Sequence, residues 1–204
     1  MAITNGYITA DEALAYLRLS DQVDRLLVEG WVEAASRSID RYCMRRFYAD
    51  DTPTARTFVP TEWTVCTVDD IASTSGLVVR TDEDDDGVYE RLWAATEYQL
   101  EPVNALAAGD TVYVIRATGR ASGPSFPLYK HTPTLQVTAR WGWPSVPAAV
   151  KQACYLQVGR LALRRQSPGG ILVSPDLGSS DRLYAQMDPD ARVLLDPFRR
   201  LEFA

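Results

Sequence analysis

Residues 137–165 read VTARWGWPSVPAAVKQACYLQVGRLALRR, and this stretch decides the fold. Alternating apolar residues predict a strand that ends at the Trp-Gly-Trp-Pro sequence. Pro147 suits the first turn of a helix, and apolar residues from Val150 to Leu161 then recur at helical spacing. A strand, a sharp turn and an amphipathic helix therefore follow one another, so the chain must combine a sheet with helices.

Two more helices are predicted near the N-terminus. Thr9, followed three residues later by Glu12, has the capping-box spacing for a helix from Ala10 to Leu17. A longer helix is predicted from Ser20 to Arg46. Its apolar stripe recurs every four residues: Val23, Leu27, Trp31, Ala35, Ile39 and Cys43.

Short β-type runs separated by turn sequences fill the middle of the chain. They are residues 57–59, 63–68, 77–80, 88–93, 97–100, 111–115 and 135–141. The pattern predicts an α+β protein: a helical bundle of N- and C-terminal helices with an inserted small antiparallel β lobe and an extended C-terminal tail. The predicted boundaries are 1–54 for the N-terminal helical part, 55–140 for the lobe, 141–187 for the C-terminal helix and loop, and 188–204 for a short helix and tail.

The last residues, DPDARVLLDPFRRLEFA at 188–204, predict a short helix stopped by Pro197. An apolar, arginine-bearing segment then follows. Aromatic residues and arginine are enriched at protein interfaces, so this tail is predicted to dock on a partner. The alternative, that the tail folds back on its own core, stays open.

Composition limits the function. The net charge is −6 and 24% of the residues are charged, which is typical of a globular protein and argues against a surface that grips nucleic acid. No run reaches membrane-spanning length, so no membrane partner is expected. The three cysteines form no CxxC pair and are expected to be buried thiols.

The sequence favours a protein that is not an enzyme and needs no cofactor. It lacks the GxSxG, GxGxxG, Walker and HExxH sequences that serve common hydrolytic and nucleotide chemistry. The single histidine, His131, lies in a Pro-flanked polar segment, where a surface loop is expected and a zinc site would lack further ligands.

An acidic loop offers a weak calcium candidate. Asp82, Asp84, Asp86 and Gly87 match the opening of an EF-hand loop, but Trp93 stands where the bidentate Glu belongs. A solvated acidic hairpin tip is the favoured interpretation.

Arginines cluster at two helix ends, with Arg45 and Arg46 after the second helix and Arg164 and Arg165 after the later one. They can complement the helix dipoles or pair with acidic groups of a neighbouring subunit, and both interpretations stay open.

The order of these parts resembles the phage head-tail connector family, the head-to-tail adaptor proteins. The resemblance rests on YITADEALAYLRL (7–19), on AASRSIDRYCMRRF (34–47), on ARWGWPSVPAAVKQACYLQVGRLALRR (139–165) and on DPDARVLLDPFRR (188–200). The β lobe departs from the compact, nearly all-helical members, so its residues inherit no role.

The resemblance implies a structural virion protein at the head-tail junction, or neck, assembled in the host bacterial cytoplasm. It implies a homo-oligomeric ring, dodecameric like the portal, that binds the phage portal protein on one side and a stopper or tail-completion protein on the other. DNA would pass through the channel without specific binding, which suits an acidic chain. The portal-binding tail would be Phe198, Arg199, Arg200, Leu201 and Phe203.

The helices would form the ring body, with Trp31, Ile39, Val150 and Leu161 in its core or between subunits. A competing hypothesis is a binding module, in which the β lobe binds calcium or carbohydrate on a helical base. It is motivated by the acidic hairpin and by Trp63 and Trp93, which are expected to be exposed.

Overall fold

The computed structural model describes residues 3–19, 25–119, 123–129, 132–166, 171–173, 180–182 and 187–200. The chain divides into two compact units. One, the β unit, is Tyr48–Ser145. The other, the helical unit, combines Met1–Phe47 with Val146–Ala204, so the β unit is inserted between two segments that fold together.

The helical unit contains α1 (Ala10–Leu17), α2 (Arg25–Cys43), α3 (Ala148–Gln166) and α4 (Pro189–Leu195), followed by a 3-10 turn at Asp196–Phe198. A two-stranded antiparallel hairpin, β7 (Ile171–Val173) and β8 (Ser180–Arg182), lies between α3 and α4 in sequence. These elements follow from the local sequence, as the helix caps show.

The predicted capping box is confirmed at α1. The Thr9 side chain accepts the N–H of Glu12, and Glu12 accepts the N–H of Thr9 at 2.6 Å. The α4 helix begins in the same way, because the Asp188 carboxylate accepts the N–H groups of Asp190 and Ala191. Each cap satisfies N–H groups that have no partner within the helix.

The buried face of α2 differs from the predicted four-residue stripe. The buried residues are Val28, Val32, Ala35, Ser36, Ile39 and Cys43, whereas Leu27 is exposed and Trp31 is half-buried. A helix turns every 3.6 residues, so a strict repeat of four drifts by about 40° per step around its axis. The stripe was therefore right near the C-terminal end and wrong near the N-terminal end; Val23 lies outside the described residues.

The β unit holds a six-stranded antiparallel sheet. Its strands are β1 (Thr54–Phe58), β2 (Val65–Thr81), β3 (Arg91–Leu92), β4 (Tyr98–Glu101), β5 (Val112–Ala117) and β6 (Leu135–Trp141). The order is β1-β6-β2-β5-β4, and β3 pairs with the end of β2.

The predicted helical bundle with a small inserted lobe is wrong, although the protein is α+β. The sheet is the main element of a complete unit, because β2 is 17 residues long and pairs with three other strands. Its first part pairs with β5 and its later part with β6, with register shifts around Ser73. The Ser73–Gly76 turn signal thus marks irregular pairing in one continuous strand.

The β unit has a hydrophobic core of its own, which the small lobe expected from the sequence would not need. Fourteen buried residues form one cluster there, including the fully buried Ile71, Ile115, Phe126, Leu135 and Trp141. Alternate residues of β6 are buried, as expected for a strand with one face on a core. The β unit therefore has the packing of a domain in its own right.

The β unit is closed where its two chain ends meet. The N–H of Asp50 donates to the carbonyl of Trp141 at 2.8 Å, and the N–H of Trp143 donates to the carbonyl of Tyr48 at 3.3 Å. Gly142 lies between them with a φ of +108° and donates to the carbonyl of Asp70 at 2.7 Å. A Cβ at Gly142 would lie 1.8 Å from the Tyr48 carbonyl oxygen, so only glycine fits.

We expect Gly142→Ala to lower the free energy of unfolding by at least about 3 kcal/mol, because it adds a backbone clash to an unfavourable φ. Gly109→Ala is the matched control, since Gly109 has a φ of +79° and open space around it. The control should cost only about 1–2 kcal/mol. Chemical denaturation followed by circular dichroism measures both, and equal losses would show that the close approach to Tyr48 is unimportant.

Candidate interaction surfaces

The segment after α4 packs against the end of α2 in the helical unit. The ring of Phe198 meets that of Phe47 edge-on, with centroids 5.7 Å apart. The N–H of Arg200 donates to the carbonyl of Cys43 at 2.9 Å, and the Arg45 guanidinium donates to the carbonyl of Phe198 at 3.3 Å. Backbone and side-chain contacts thus fix this segment to its own unit.

Tyr42 adds two contacts to the same segment. Its hydroxyl donates to the Asp196 carboxylate at 2.5 Å, and the Arg199 guanidinium lies 5.0 Å from the ring centroid. The hydrogen bond to Asp196 raises the pKa of Tyr42, because the carboxylate favours the protonated hydroxyl. These contacts fix residues 196–200 on the end of α2.

The predicted portal-binding residues therefore have different surroundings. Phe198 and Arg200 are half-buried in contacts with their own unit, and Arg199 is exposed on Tyr42. Leu201 and Phe203 lie outside the described residues. Portal binding by this tail stays a prediction, and among its described residues only Arg199 is exposed.

The four predicted ring-body residues divide into two pairs. Ile39 and Val150 are completely buried in the helical unit. Trp31 and Leu161 are half-buried. Trp31 also lines a surface groove of about 340 Å³.

This groove, named the helical groove, is mostly apolar. Its lining residues are Leu17, Leu19, Trp31, Gly159, Ala162, Leu163 and Arg165. A second depression shares Leu17, Gly159 and Leu163 and continues it past Tyr16. Leu163 and Tyr16 are both exposed, so the helical unit presents a continuous apolar surface to its surroundings.

The arginines at the helix ends lie in different environments. Arg45 donates to the Phe198 carbonyl, and the charge of Arg46 acts on the half-buried Asp40 carboxylate. Arg165 is exposed beside the helical groove, and Arg164 is half-buried. Inter-subunit pairing by these four stays a prediction.

A buried polar network in the helical unit has no sequence signal. The Tyr7 hydroxyl donates to the Asp40 carboxylate and accepts the N–H of Phe47 at 3.0 Å. The N–H of Tyr7 donates to Ser36 Oγ at 3.1 Å. Burial raises the pKa of both Tyr7 and Asp40, and the network holds the N-terminal segment on α2.

The acidic loop of the β unit is held together by Asp82. Its buried carboxylate accepts the N–H groups of Asp85 and Gly87 at 2.8 Å and that of Asp84 at 3.3 Å. Burial acts to raise the pKa of Asp82, but the backbone hydrogen bonds from Gly87 and Asp85 outweigh it, so the pKa is lowered.

The loop brings four carboxylates together, because oxygens of Asp82, Asp84, Asp86 and Glu90 lie within 4.8 Å of one another. Glu90 was not among the predicted ligands. Exposed acidic groups are common without an ion. Calcium binding at Asp82, Asp84 and Asp86 therefore stays the weaker, untested alternative to a solvated acidic loop.

Of the two tryptophans expected to be exposed, the structure agrees on one. Trp63 is exposed. Trp93 is buried, stacks on Phe126 with centroids 4.8 Å apart, and donates its indole N–H to Thr81 Oγ1 at 2.9 Å. Trp93 therefore belongs to the core, and the expectation for it was wrong. His131 lies outside the described residues.

All three cysteines are free and buried, as predicted. Burial raises the pKa of each thiol to about 12, so they remain unreactive at neutral pH. No helix in the described part of the chain combines the length and apolar composition needed to cross a bilayer.

A scan against protein-family models finds no match to this sequence. A search of curated proteins likewise finds no significant match. Solved structures, in contrast, match over the whole chain. One is the neck of an empty gene transfer agent (GTA) particle, computed with C6 symmetry, with a TM-score of 0.59 and 16% identity, covering 100% of this chain and 95% of that chain.

Two related structures also match the whole chain. The neck of the native GTA particle, computed with C12 symmetry, gives a TM-score of 0.57 at 15% identity and covers 100% of this chain and 94% of that chain. The virion of the native GTA particle gives 0.55 at 18% identity, covering 100% and 95%. This chain shares their fold. At such identities the likeness establishes the fold, and it extends over both the helical unit and the β unit.

We expect Phe198→Ala to lower the free energy of unfolding of the full chain by about 2 kcal/mol, because it removes a half-buried ring from Phe47. Val193→Ala on the exposed side of α4 is the control and should change stability by less than about 0.5 kcal/mol. Urea denaturation separates the two. An unaffected Phe198→Ala variant would mean that the segment does not contribute to the core.

The loop predicts a pH dependence. A lowered folded pKa means that Asp82 stabilises the β unit above its unfolded pKa of about 3.9 and loses this effect as the pH falls through the folded value. Asp82→Ala should therefore be less stable than the parent near neutral pH, and the difference should shrink below about pH 4. Thermal unfolding across pH measures it; Asp51→Asn, an exposed acid of the same unit, is the control.

Proposed function

We propose that this chain is a structural subunit of the neck of a phage-like particle and acts there as a head-to-tail adaptor. The observation that carries the proposal is the whole-chain likeness to chains in GTA necks, in which both the helical unit and the inserted β unit have counterparts. The sequence resemblance to head-to-tail adaptors, found in the helical segments, supports the same role. The proposed role requires neither a catalytic residue nor a cofactor.

The proposed assembly is a dodecameric ring of identical subunits. The C6 and C12 symmetries used for the matching necks support a cyclic arrangement. In a cyclic ring, one surface of each subunit meets a different surface of the next. The helical groove, with exposed Leu163 and Tyr16 beside Arg165, is the candidate for one of those surfaces.

The proposed partners are the portal protein on one side and a stopper or tail-completion protein on the other. The proposed portal-binding residues are Phe198, Arg199, Arg200, Leu201 and Phe203. Contacts fix residues 196–200 on the end of α2, and Arg199 is exposed there. Each arm would contribute a small contact, and simultaneous engagement around the ring would make the joint lasting.

The charge of the chain suits a DNA channel. A net charge of −6 repels phosphates, so DNA would pass without being held. Both the portal and DNA interactions belong to the assembled particle, at the head-tail junction of the virion.

The test is co-sedimentation of the purified chain with the portal ring encoded by the same genome. The full chain should bind stoichiometrically, and a variant ending at Arg200 should not. Ending at Arg200 keeps the contacts to Phe47, Tyr42 and Cys43, so this variant should stay folded.

The matched control is Val193→Ala, which changes an exposed side chain of α4 and should bind like the parent. Binding by the variant ending at Arg200 would keep the adaptor role and move the portal contact elsewhere. Absence of binding by the folded full chain would contradict the adaptor role.

A further inference from the structure

One buried ring joins two parts of the helical unit that the proposed function leaves unrelated. Phe47, which follows α2 and is completely buried, contacts the ring of Tyr7 edge-on with centroids 5.7 Å apart. It contacts the ring of Phe198 edge-on as well, again at 5.7 Å. Edge-to-face pairs at such distances stabilise beyond the area they bury. Phe47 therefore packs both on the N-terminal segment, residues 3–9, and on the tail segment, residues 196–200.

Tyr7 binds the N-terminal segment to α2 and to Phe47. Its N–H donates to Ser36 Oγ at 3.1 Å, and its hydroxyl donates to the Asp40 carboxylate. The same hydroxyl accepts the N–H of Phe47 at 3.0 Å. Phe47 thus contacts Tyr7 through its backbone as well as its ring, so a shift of Phe47 disturbs two contacts of Tyr7 at once.

The tail segment is held on α2 by replaceable hydrogen bonds and by one ring. The N–H of Arg200 donates to the carbonyl of Cys43 at 2.9 Å, and the Tyr42 hydroxyl donates to Asp196 at 2.5 Å. Such bonds contribute little net stability, because water or a partner protein can replace them. The contact of Phe198 with Phe47 has no such replacement in water, so it is the contact that detachment of the tail segment breaks at a real loss.

We infer that Phe47 couples the two segments, so that a partner that binds the tail segment in place of α2 also loosens the N-terminal segment. Without Phe198, the Phe47 ring is no longer held in place, and the packing and hydrogen bond that it gives to Tyr7 weaken. A partner shifts this equilibrium when it binds the detached state more tightly than the attached one. The coupling is a property of the helical unit alone, and only the identity of the partner as a portal rests on the proposed function.

The N-terminal segment can report this coupling because it is buried. Tyr7 is 2% exposed and Ile8 is 3% exposed, and the N–H of Tyr7 is hydrogen-bonded to Ser36. A buried, hydrogen-bonded amide exchanges its hydrogen with solvent only when the segment opens. The exchange rate at Tyr7 therefore measures how often the N-terminal segment leaves α2.

The test is hydrogen exchange of the full chain, followed by mass spectrometry that resolves the N-terminal segment from α3. Phe198→Ala removes the ring from Phe47 and keeps the backbone of the tail segment. We expect the Tyr7 amide to exchange about tenfold faster in this variant, a size that is ordinary for coupled sites. Amides of α3 should change much less.

Val158→Ala is the matched control. Val158 is completely buried in α3 and belongs to neither segment, so this variant removes buried methyl groups from the same unit. It should raise exchange in α3 at least as much as at Tyr7. The same pattern of exchange in Phe198→Ala and Val158→Ala would overturn the proposal, because both would then reflect a general loss of stability.

Coupling between two sites is reciprocal, so the reverse experiment must agree. Tyr7→Ala should speed exchange of the Arg200 amide, which donates to Cys43, by about tenfold as well. An Arg200 amide that exchanges at the parent rate in this variant would contradict the proposal, as would an unchanged Tyr7 amide in Phe198→Ala.

Circular dichroism must show the parent spectrum for each variant. Tyr7→Phe replaces Tyr7→Ala where the latter does not fold, since it keeps the ring but removes the hydroxyl that accepts the Phe47 N–H. It should change the Arg200 amide in the same direction. No portal is used in these measurements, so their failure would leave the co-sedimentation test of the adaptor role untouched.

Discussion

The β unit depends on the meeting of its two chain ends at Gly142. Hydrogen bonds from Asp50 to Trp141 and from Trp143 to Tyr48 join the entering and leaving segments, and Gly142 allows backbone to approach backbone there. A unit inserted into another chain segment must return to its starting point. This contact fixes that return, so the sheet can form its own core between two segments that fold together elsewhere.

The helical unit uses polar contacts for a similar purpose. Tyr7 and Asp40 bind the N-terminal segment to α2, while Tyr42 and Phe47 hold the segment after α4. Sequence-distant segments are thus held on one helix, and Phe47 just after it contacts both. Residues 196–200 are therefore fixed on the helical unit. A portal-binding arm formed by Leu201 and Phe203 would start from this fixed segment.

The two units present surfaces of opposite character. The helical unit exposes an apolar groove beside Arg165, which suits contacts between subunits. The β unit carries an acidic loop in which oxygens of four carboxylates lie within 4.8 Å of one another. The inserted unit is also the part for which the sequence resemblance offered no role, so its function must be argued from its own residues.

The sequence by itself determined the local elements. The Thr9–Glu12 cap, the α1 helix and the strand at 135–141 depend on neighbouring residues, and all were predicted correctly. Tertiary structure decided the rest. Pairing with β6 kept β2 continuous through an apparent turn, and packing on Phe126 buried Trp93. The buried face of α2 at Val28 and Val32 follows from the 3.6-residue helical period, which a strict repeat of four misses. Those outcomes depend on partners distant in sequence or on small angles that accumulate along a helix, and neither is visible in a short window of residues.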